Sequence, residues 1–270
     1  MSQNKFDINN RNAVITGGAT GIGLALAKGL GAKGCKLIIA EPDEERLETA
    51  VNSLRELGIE AHHEVCDVTN LAQVEQLADR AWDVFGHVDM VFNNAGIGIR
   101  QKPIVDTSSK ELHAVLDVNF FGVWYGSKVF AERLIEQGTP AGIYNTGSEN
   151  SLFNAVPNNA AYLASKHAVL GMTENLREQM PDFVQVGLII PGLVKSELTK
   201  RIAHLAMDAD EFAECALQQI ADGQFYIVSH SYNMVQIKKR YEEIEKAYAQ
   251  YAPRYEGDEE YDIRHLMTNT

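Results

Sequence analysis

The run NNAAYLASKHAV, spanning 158–169, carries a residue pair with the types and spacing for proton transfer: Tyr162 and Lys166, four positions apart. On an α-helix that separation puts both side chains on one face, one turn from each other. A free phenol loses its proton near pH ~10, and a neighbouring ammonium favours the phenolate. The pair reads either as an ordinary tyrosine and lysine on an alanine-rich surface helix or as an acid–base group tuned by a cation. Spacing alone leaves both readings open.

A second chemical signal lies in AVITGGATGIGLALAKGL, where Gly17, Gly18, Gly21 and Gly23 separate an apolar run from an amphipathic one. Glycines permit a tight turn and close approach of the backbone to a pyrophosphate, which a helix N-terminus attracts. The pattern is T-G-x-x-x-G-x-G rather than the commoner G-x-G-x-x-G. Glu41 ends the apolar run IIAE, twenty residues after Gly21. An acid there accepts the ribose hydroxyls of an adenosine and repels a 2′-phosphate, so NAD is expected over NADP. Its plainer role is to open the acidic first turn PDEE of the next helix. In CDVTN, Asp67 is placed to accept an adenine amino group, with the Val68 backbone nearby, or to cap the helix starting near Asn70. In FNNAG, the amides of Asn93 and Asn94 need partners if buried. Asn119 shares a helical face with Leu112, Val115, Leu116 and Val123 and so needs a hydrogen-bonding reason to be there.

These residues must be positioned by alternating elements. Strands are expected at 12–17, 36–41, 63–68, 88–96, 141–148 and 184–192, with 225–228 as a seventh. Amphipathic helices are expected near 22–33, 43–57, 70–85, 109–136 and 159–179. Such alternation implies an α/β fold: a Rossmann-like, doubly wound parallel sheet of about seven strands with helices on both faces. Every polar motif falls at a strand's carboxyl end, where ligands bind in such sheets. No linker divides the chain, so 1–230 reads as the sheet-bearing body, and 231–270 as a C-terminal helix and acidic tail of the same domain. On that helix Met234, Ile237, Tyr241, Ile244, Tyr248 and Tyr251 recur at spacings of three and four. This stripe is read first as a helix docked on its own domain, and second as a subunit contact or substrate lid.

Taken in order, T-G-x-x-x-G-I-G, D-V, N-N-A-G, Y-x-x-x-K and P-G resemble the short-chain dehydrogenase/reductase family across roughly residues 10 to 200. The resemblance implies an NAD-dependent oxidoreductase of the single-domain type interconverting a secondary alcohol and its ketone. It implies Tyr162 as general acid/base, with Lys166 lowering its pKa and holding the nicotinamide ribose. Ser148 would stabilise the substrate oxygen, and Asn119 would distort its helix and hold a water in a proton relay. Gly17, Thr20, Gly21, Ile22, Gly23, Glu41, Asp67, Val68, Asn94, Ala95, Gly96, Pro191, Gly192, Val194 and Ser196 would bind the cofactor along with Tyr162 and Lys166. Fourteen positions separate Ser148 from Tyr162, one more than is usual in the family, which makes Ser151 a rival and leaves Glu149 without a role. In place of the V-D-G-G strand that packs many tetramers, the chain reads GQFYIVSHSYN and continues for about forty residues. A homo-oligomer is implied, with a dimer as a fitting alternative to the tetramer.

The remaining features narrow the field. A net charge of −13 argues against nucleic acid and anionic membranes as partners. Three scattered cysteines, no apolar run of membrane length and a polar start point to a cytoplasmic protein. The histidines show no metal spacing, so no metal is expected. Ile97, Ile99, Leu152, Phe153, Leu193, Leu198 and Leu205 are the apolar pocket candidates and imply a hydrophobic, cyclic or aromatic substrate. Arg100 is a candidate for holding a carboxylate, though a solvent-facing role suffices for it. Two other functions compete: NADPH-linked reduction of a ketone or acyl ketone, and dinucleotide-binding regulation without turnover.

Overall fold

The computed structural model describes residues 5–268; the outermost residues of the polar start and of the acidic tail lie outside them. Seven strands form one parallel sheet in the order β3-β2-β1-β4-β5-β6-β7. They are β1 (Asn12–Thr16), β2 (Lys36–Glu41), β3 (Ala61–Val65), β4 (Met90–Asn93), β5 (Ala141–Thr146), β6 (Val184–Ile190) and β7 (Tyr226–Val228). The order reverses between β1 and β4, the crevice where ligands sit in doubly wound sheets. β1, β4, β5 and β6 are buried along their whole length, as a sheet covered on both faces requires. One apolar layer gathers Leu26, Leu30, Leu47, Leu54, Phe212 and Leu217 against one face. The other gathers Val74, Leu77, Val123, Phe130, Val169 and Leu176.

The connecting helices are α1 (Gly21–Gly31), α2 (Glu44–Glu56), α3 (Leu71–Phe85), α4 (Ser109–Leu116), α5 (Gly122–Gln137), α6 (Ala160–Gln179) and α7 (Ala209–Ala221). Their starts are chemically marked: Asp43, Asn70 and Ser108 each accept a first-turn N–H, the last in a reciprocal pair with Glu111. Three expectations shift. β3 covers 61–65 rather than 63–68, so Cys66, Asp67 and Val68 follow the strand. β4 stops at Asn93 because the next two N–H groups turn to the Thr16 hydroxyl. The 109–136 helix is broken by a π-helical turn at Asp117–Phe121, centred on Asn119. Helix α7, capped by Asp208, was not among the expected helices.

Chain contacts divide the molecule into two compact units, 1–230 and 231–270. The second holds α8 (Asn233–Tyr251), then a turn in which Arg254 pairs with Asp258 and Glu259. Among the described residues no helix is long and apolar enough to cross a membrane, and no three His, Cys, Asp or Glu side chains cluster as metal ligands.

Candidate active site

The glycine turn between β1 and α1 is shaped by positive backbone angles. Gly17 has φ +61°, and a Cβ there would stand 2.8 Å from Cα of Ala95. Gly21 has φ +52°, and its Cβ would meet that of Ser196 at 3.0 Å. A side chain at either place would be strained and would crowd the opening. Thr20 heads α1 without a side-chain cap, and the first turn carries no acid. The positive end of the helix is therefore uncompensated by a carboxylate and faces a cleft that suits an anion.

Asn94 fastens this turn to the sheet. Its Nδ2 donates to the carbonyls of Thr16 and Gly17, both at 3.2 Å, and its Oδ1 accepts from the Thr146 hydroxyl at 3.3 Å. Asn93 faces inward instead. Its Nδ2 donates to Asn145 Oδ1 at 2.8 Å, and Asn145 Nδ2 donates to the Thr173 hydroxyl at 3.1 Å. A buried polar seam thus joins β4 and β5 to α6, with Ser127 of α5 completing it. The spare Asn93 oxygen is buried with no partner among the described residues.

Helix α6 presents Tyr162 and Lys166 to the cleft on the same face. Lys166 is only 3% exposed. Its Nζ donates to the Thr146 carbonyl at 2.8 Å and stands 5.8 Å from the centre of the Tyr162 ring. Burial pulls the amine down to about 8. The lowering of the Tyr162 pKa expected from Lys166 is not what the surroundings produce. Burial pushes the phenol up, a hydrogen bond with Ser148 opposes it, and the Glu149 charge raises it further. The cause is physical: burial strips hydration from the phenolate, and the Lys166 amine donates its hydrogen bond to the Thr146 carbonyl.

Ser148 is the serine beside Tyr162, and its oxygen also accepts the Asn150 N–H at 3.1 Å. Ser151 is committed elsewhere, donating to the Lys166 carbonyl at 2.8 Å. A 3₁₀ turn at Glu149–Ser151 follows Ser148, and there buried Asn150 accepts from the N–H groups of Ala155 and Val156. Asn119, fully buried in its π turn, accepts from Ile97 N at 2.7 Å, and its Nδ2 donates to Ile97 O at 2.9 Å and Ser165 Oγ at 3.2 Å. Ser165 in turn donates to the Tyr162 carbonyl at 2.7 Å. Asn119 thereby braces both the loop after β4 and the helix that carries the phenol.

The cleft, about 320 Å³, runs along the strand ends from Glu41, Arg46 and Asp67 past the glycine turn to Tyr162, Lys166 and Leu198. Of the expected residues, Gly17, Thr20, Gly21, Ile22, Glu41, Asp67, Val68, Asn94, Ala95, Gly96, Tyr162, Lys166, Pro191 and Ser196 line it together. Asn119, Ser148, Gly23, Gly192 and Val194 are outside its lining. Asp67 does not cap α3, since Asn70 does; its carboxylate accepts from Thr69 instead. Of the apolar pocket candidates, Ile97 and Leu198 line the cleft, whereas Phe153 is a buried core residue. Cys66 also lines it, but burial pushes its thiol up to about 12, which keeps it protonated.

Arg46 is one of the lining residues that sequence reasoning missed, with Cys66, Val118, Thr146, Gly147 and Glu197. It lies one turn into α2, and its side chain pairs with Asp43 beside Glu41. The signal was the i+5 distance from the acid that ends β2, since a long basic side chain early in the following helix reaches back over the strand end. Burial raises the Glu41 carboxyl and Arg46 opposes that rise.

Comparison with known proteins agrees with this geometry. The short chain dehydrogenase family model matches residues 11–206. The 1-deoxy-11-beta-hydroxypentalenate dehydrogenase of Streptomyces avermitilis is 32% identical over 228 residues, covering 81% of this chain and 84% of that protein. The 3beta-hydroxysteroid dehydrogenase 2 of Eggerthella lenta is 33% identical over 189 residues, covering 70% and 72%. A solved short chain dehydrogenase/reductase from Burkholderia phymatum in complex with NAD superposes with a TM-score of 0.84 at 32% identity, covering 90% of this chain and 96% of that one. The chain belongs to the short-chain dehydrogenase/reductase family. It is an oxidoreductase of hydroxyl and ketone substrates in a family that binds nicotinamide dinucleotides.

Proposed function

We propose that the protein is an NAD-dependent dehydrogenase of a hydrophobic, cyclic secondary alcohol, reversible to the ketone, with Tyr162 as general acid/base. The observation that carries this is the convergence of Lys166 and of Tyr162, hydrogen-bonded from behind the lining by Ser148, at one end of a cleft whose other end is an uncompensated helix N-terminus beside Glu41. The glycine cradle, which a Cβ would close, fits a pyrophosphate. Thr20, Gly21 and Ile22 would hold it, Glu41 the adenosine ribose, Asp67 and Val68 the adenine, and Lys166 the nicotinamide ribose. The bound dinucleotide supplies the hydride acceptor for oxidation and the donor for reduction. Tyr162 takes the hydroxyl proton of the alcohol at its phenolic oxygen, and Ser148 donates a hydrogen bond to the same substrate oxygen as charge develops there. Asn119 keeps the loop at Ile97 and the carbonyl of Tyr162 in place, so the phenol meets the substrate in one orientation. Ile97 and Leu198 contribute apolar surface, and a hydroxysteroid dehydrogenase among the relatives supports a carbocyclic substrate.

Arg46 favours a second reading, NADPH-linked ketone reduction, because a guanidinium at the Glu41 end of the cleft could pair with a 2′-phosphate. The choice is tested by comparing kcat/KM for NAD and NADP over a panel of cyclic secondary alcohols, following reduced-cofactor absorbance. NAD is expected to win; a clear NADP preference refutes the role given to Glu41. Tyr162→Phe is expected to bind dinucleotide as the parent does and to lose about 10²–10⁴ in turnover. Near-parental rates in that variant refute the acid–base assignment.

A further inference from the structure

Ser148 acts as a donor in the reaction above, yet a serine hydroxyl gives and accepts with equal ease. It has one proton and two lone pairs, and it rotates to suit its neighbours. Something must set its direction. Buried Asn150, two residues on, turns two N–H groups toward it. The backbone N–H of Asn150 donates to Ser148 Oγ at 3.1 Å, and the side-chain Nδ2 donates to the same oxygen at a longer 3.4 Å. The far end of the amide fixes which atom faces the serine. Asn150 Oδ1 accepts the backbone N–H groups of Ala155 at 3.2 Å and Val156 at 3.3 Å, which an NH₂ group could not do. We infer that Asn150 is a positioning residue for the reaction: it occupies both lone pairs of Ser148 and so makes that hydroxyl an obligate donor toward Tyr162 and the substrate oxygen.

The direction matters because Ser148 and Tyr162 are both hydroxyls, and a bond between them could run either way. With the serine's lone pairs filled, the phenol has nothing to donate to, and the serine donates to the phenol. That sense favours the phenolate, in keeping with the downward pull of Ser148 on the buried Tyr162. When an alcohol binds, the same aimed proton meets its oxygen as charge develops there. An O–H whose oxygen already accepts hydrogen bonds is also the stronger donor, since linked bonds polarise one another. The frame that holds this arrangement reaches α6 itself. The Ser148 N–H donates to Ser151 Oγ at 3.2 Å, and Ser151 Oγ donates to the Lys166 carbonyl at 2.8 Å. The inference rests on the acid–base role proposed for Tyr162.

A double-mutant cycle between positions 148 and 150 tests it, with alcohol oxidation followed over pH and with dinucleotide Kd and urea melts as controls on folding. Asn150→Ala is expected to lower kcat at least about 10-fold with little change in KM, because the hydroxyl is released to turn. In the Ser148→Ala background no proton is left to aim, and the same substitution is expected to lower kcat by less than about 2-fold. Asn150→Asp covers the case in which Asn150→Ala loosens the turn. It keeps an oxygen for Ala155 and Val156 but offers Ser148 an acceptor, and its effect is expected to be at least about 10-fold larger with Ser148 present than in the Ser148→Ala background. The rise of kcat/KM with pH is expected to move to higher pH in Asn150→Ala and to move no further between Ser148→Ala and the double variant. Lys166 and Glu149, the charges near the phenol, are the same in all of them. Losses by the same factor in both backgrounds would give Asn150 a purely structural role and overturn the inference, as would parental kcat in Asn150→Asp or an unmoved pH profile in Asn150→Ala. Near-parental turnover of Tyr162→Phe overturns the acid–base reading beneath it; a slow Tyr162→Phe beside equal losses in both backgrounds overturns this inference alone.

Discussion

Lys166→Met is expected to make the protein more stable at pH 7 while abolishing turnover. The Lys166 amine is 3% exposed, and burial lowers it from 10.5 to about 8. At about 1.4 kcal/mol for each pH unit, holding it charged below pH 8 costs on the order of 3 kcal/mol. Its bond to the Thr146 carbonyl is lost in the variant, which returns roughly 1–2 kcal/mol of that gain. The net expectation at pH 7 is a stabilisation of about 1–2 kcal/mol. The sign of the pH dependence follows from the same shift. A group depressed in the folded state leaves full stability above its unfolded value of 10.5, and stability is lost as the pH falls through the folded value of about 8. Parent stability should therefore climb, relative to the variant, by about 2 kcal/mol between pH 7 and pH 10. Urea unfolding of both proteins at pH 7, 8, 9 and 10, without dinucleotide, measures this difference. A variant less stable than the parent at pH 7, or a difference independent of pH, refutes the account of the lysine as a buried charge held for function at a cost in stability.

Asn119→Ala removes two bonds to Ile97 and one to Ser165, and since Ile97 is partly exposed, the loss is expected to be about 2–3 kcal/mol in a urea melt, with kcat falling more than KM rises. A loss below about 0.5 kcal/mol would show that the π turn is held by other contacts. Glu149→Gln removes a charge that raises the Tyr162 pKa, so the rise of alcohol oxidation with pH should move to lower pH, read from kcat/KM profiles. An unmoved or opposite profile would place Glu149 outside the electrostatics of the phenol.

The parts of the fold visible in the sequence are those where one residue type has few alternatives. Gly17 and Gly21 sit at positive φ, so the T-G-x-x-x-G pattern reported real backbone constraints. Largely apolar runs such as VQVGLII, with Gln185 as the one polar residue, marked β6 because a strand buried on both faces calls for them. The run HHEVCDV has no clear alternation, and β3 slid toward Ala61. Helix α7 is weakly marked in the sequence because two of its five buried residues are alanines, leaving only Phe212, Leu217 and Ile220 as large apolar groups. At the site, side-chain identities were legible and main-chain partners were not. Nothing in the sequence shows that Lys166 donates to the Thr146 carbonyl, or that Asn119 pairs with both the N–H and the C=O of Ile97. For the same reason the burial that pushes the Tyr162 phenol up was not legible: proximity to a lysine is a pattern of spacing, whereas burial belongs to the folded surroundings.

Thr146 takes part in both halves of the cleft at once. Its carbonyl receives Lys166, and its hydroxyl reaches Asn94, which grips the glycine turn. The grip on the nucleotide and the aim of the proton-carrying helix are thus keyed to a single peptide at the tip of β5, like two hands of a clock set on one spindle. The 197–205 segment hangs outside that spindle and can be redrawn for a new substrate without resetting either hand, whereas 149–151 is tied to it through Ser151 and the Lys166 carbonyl.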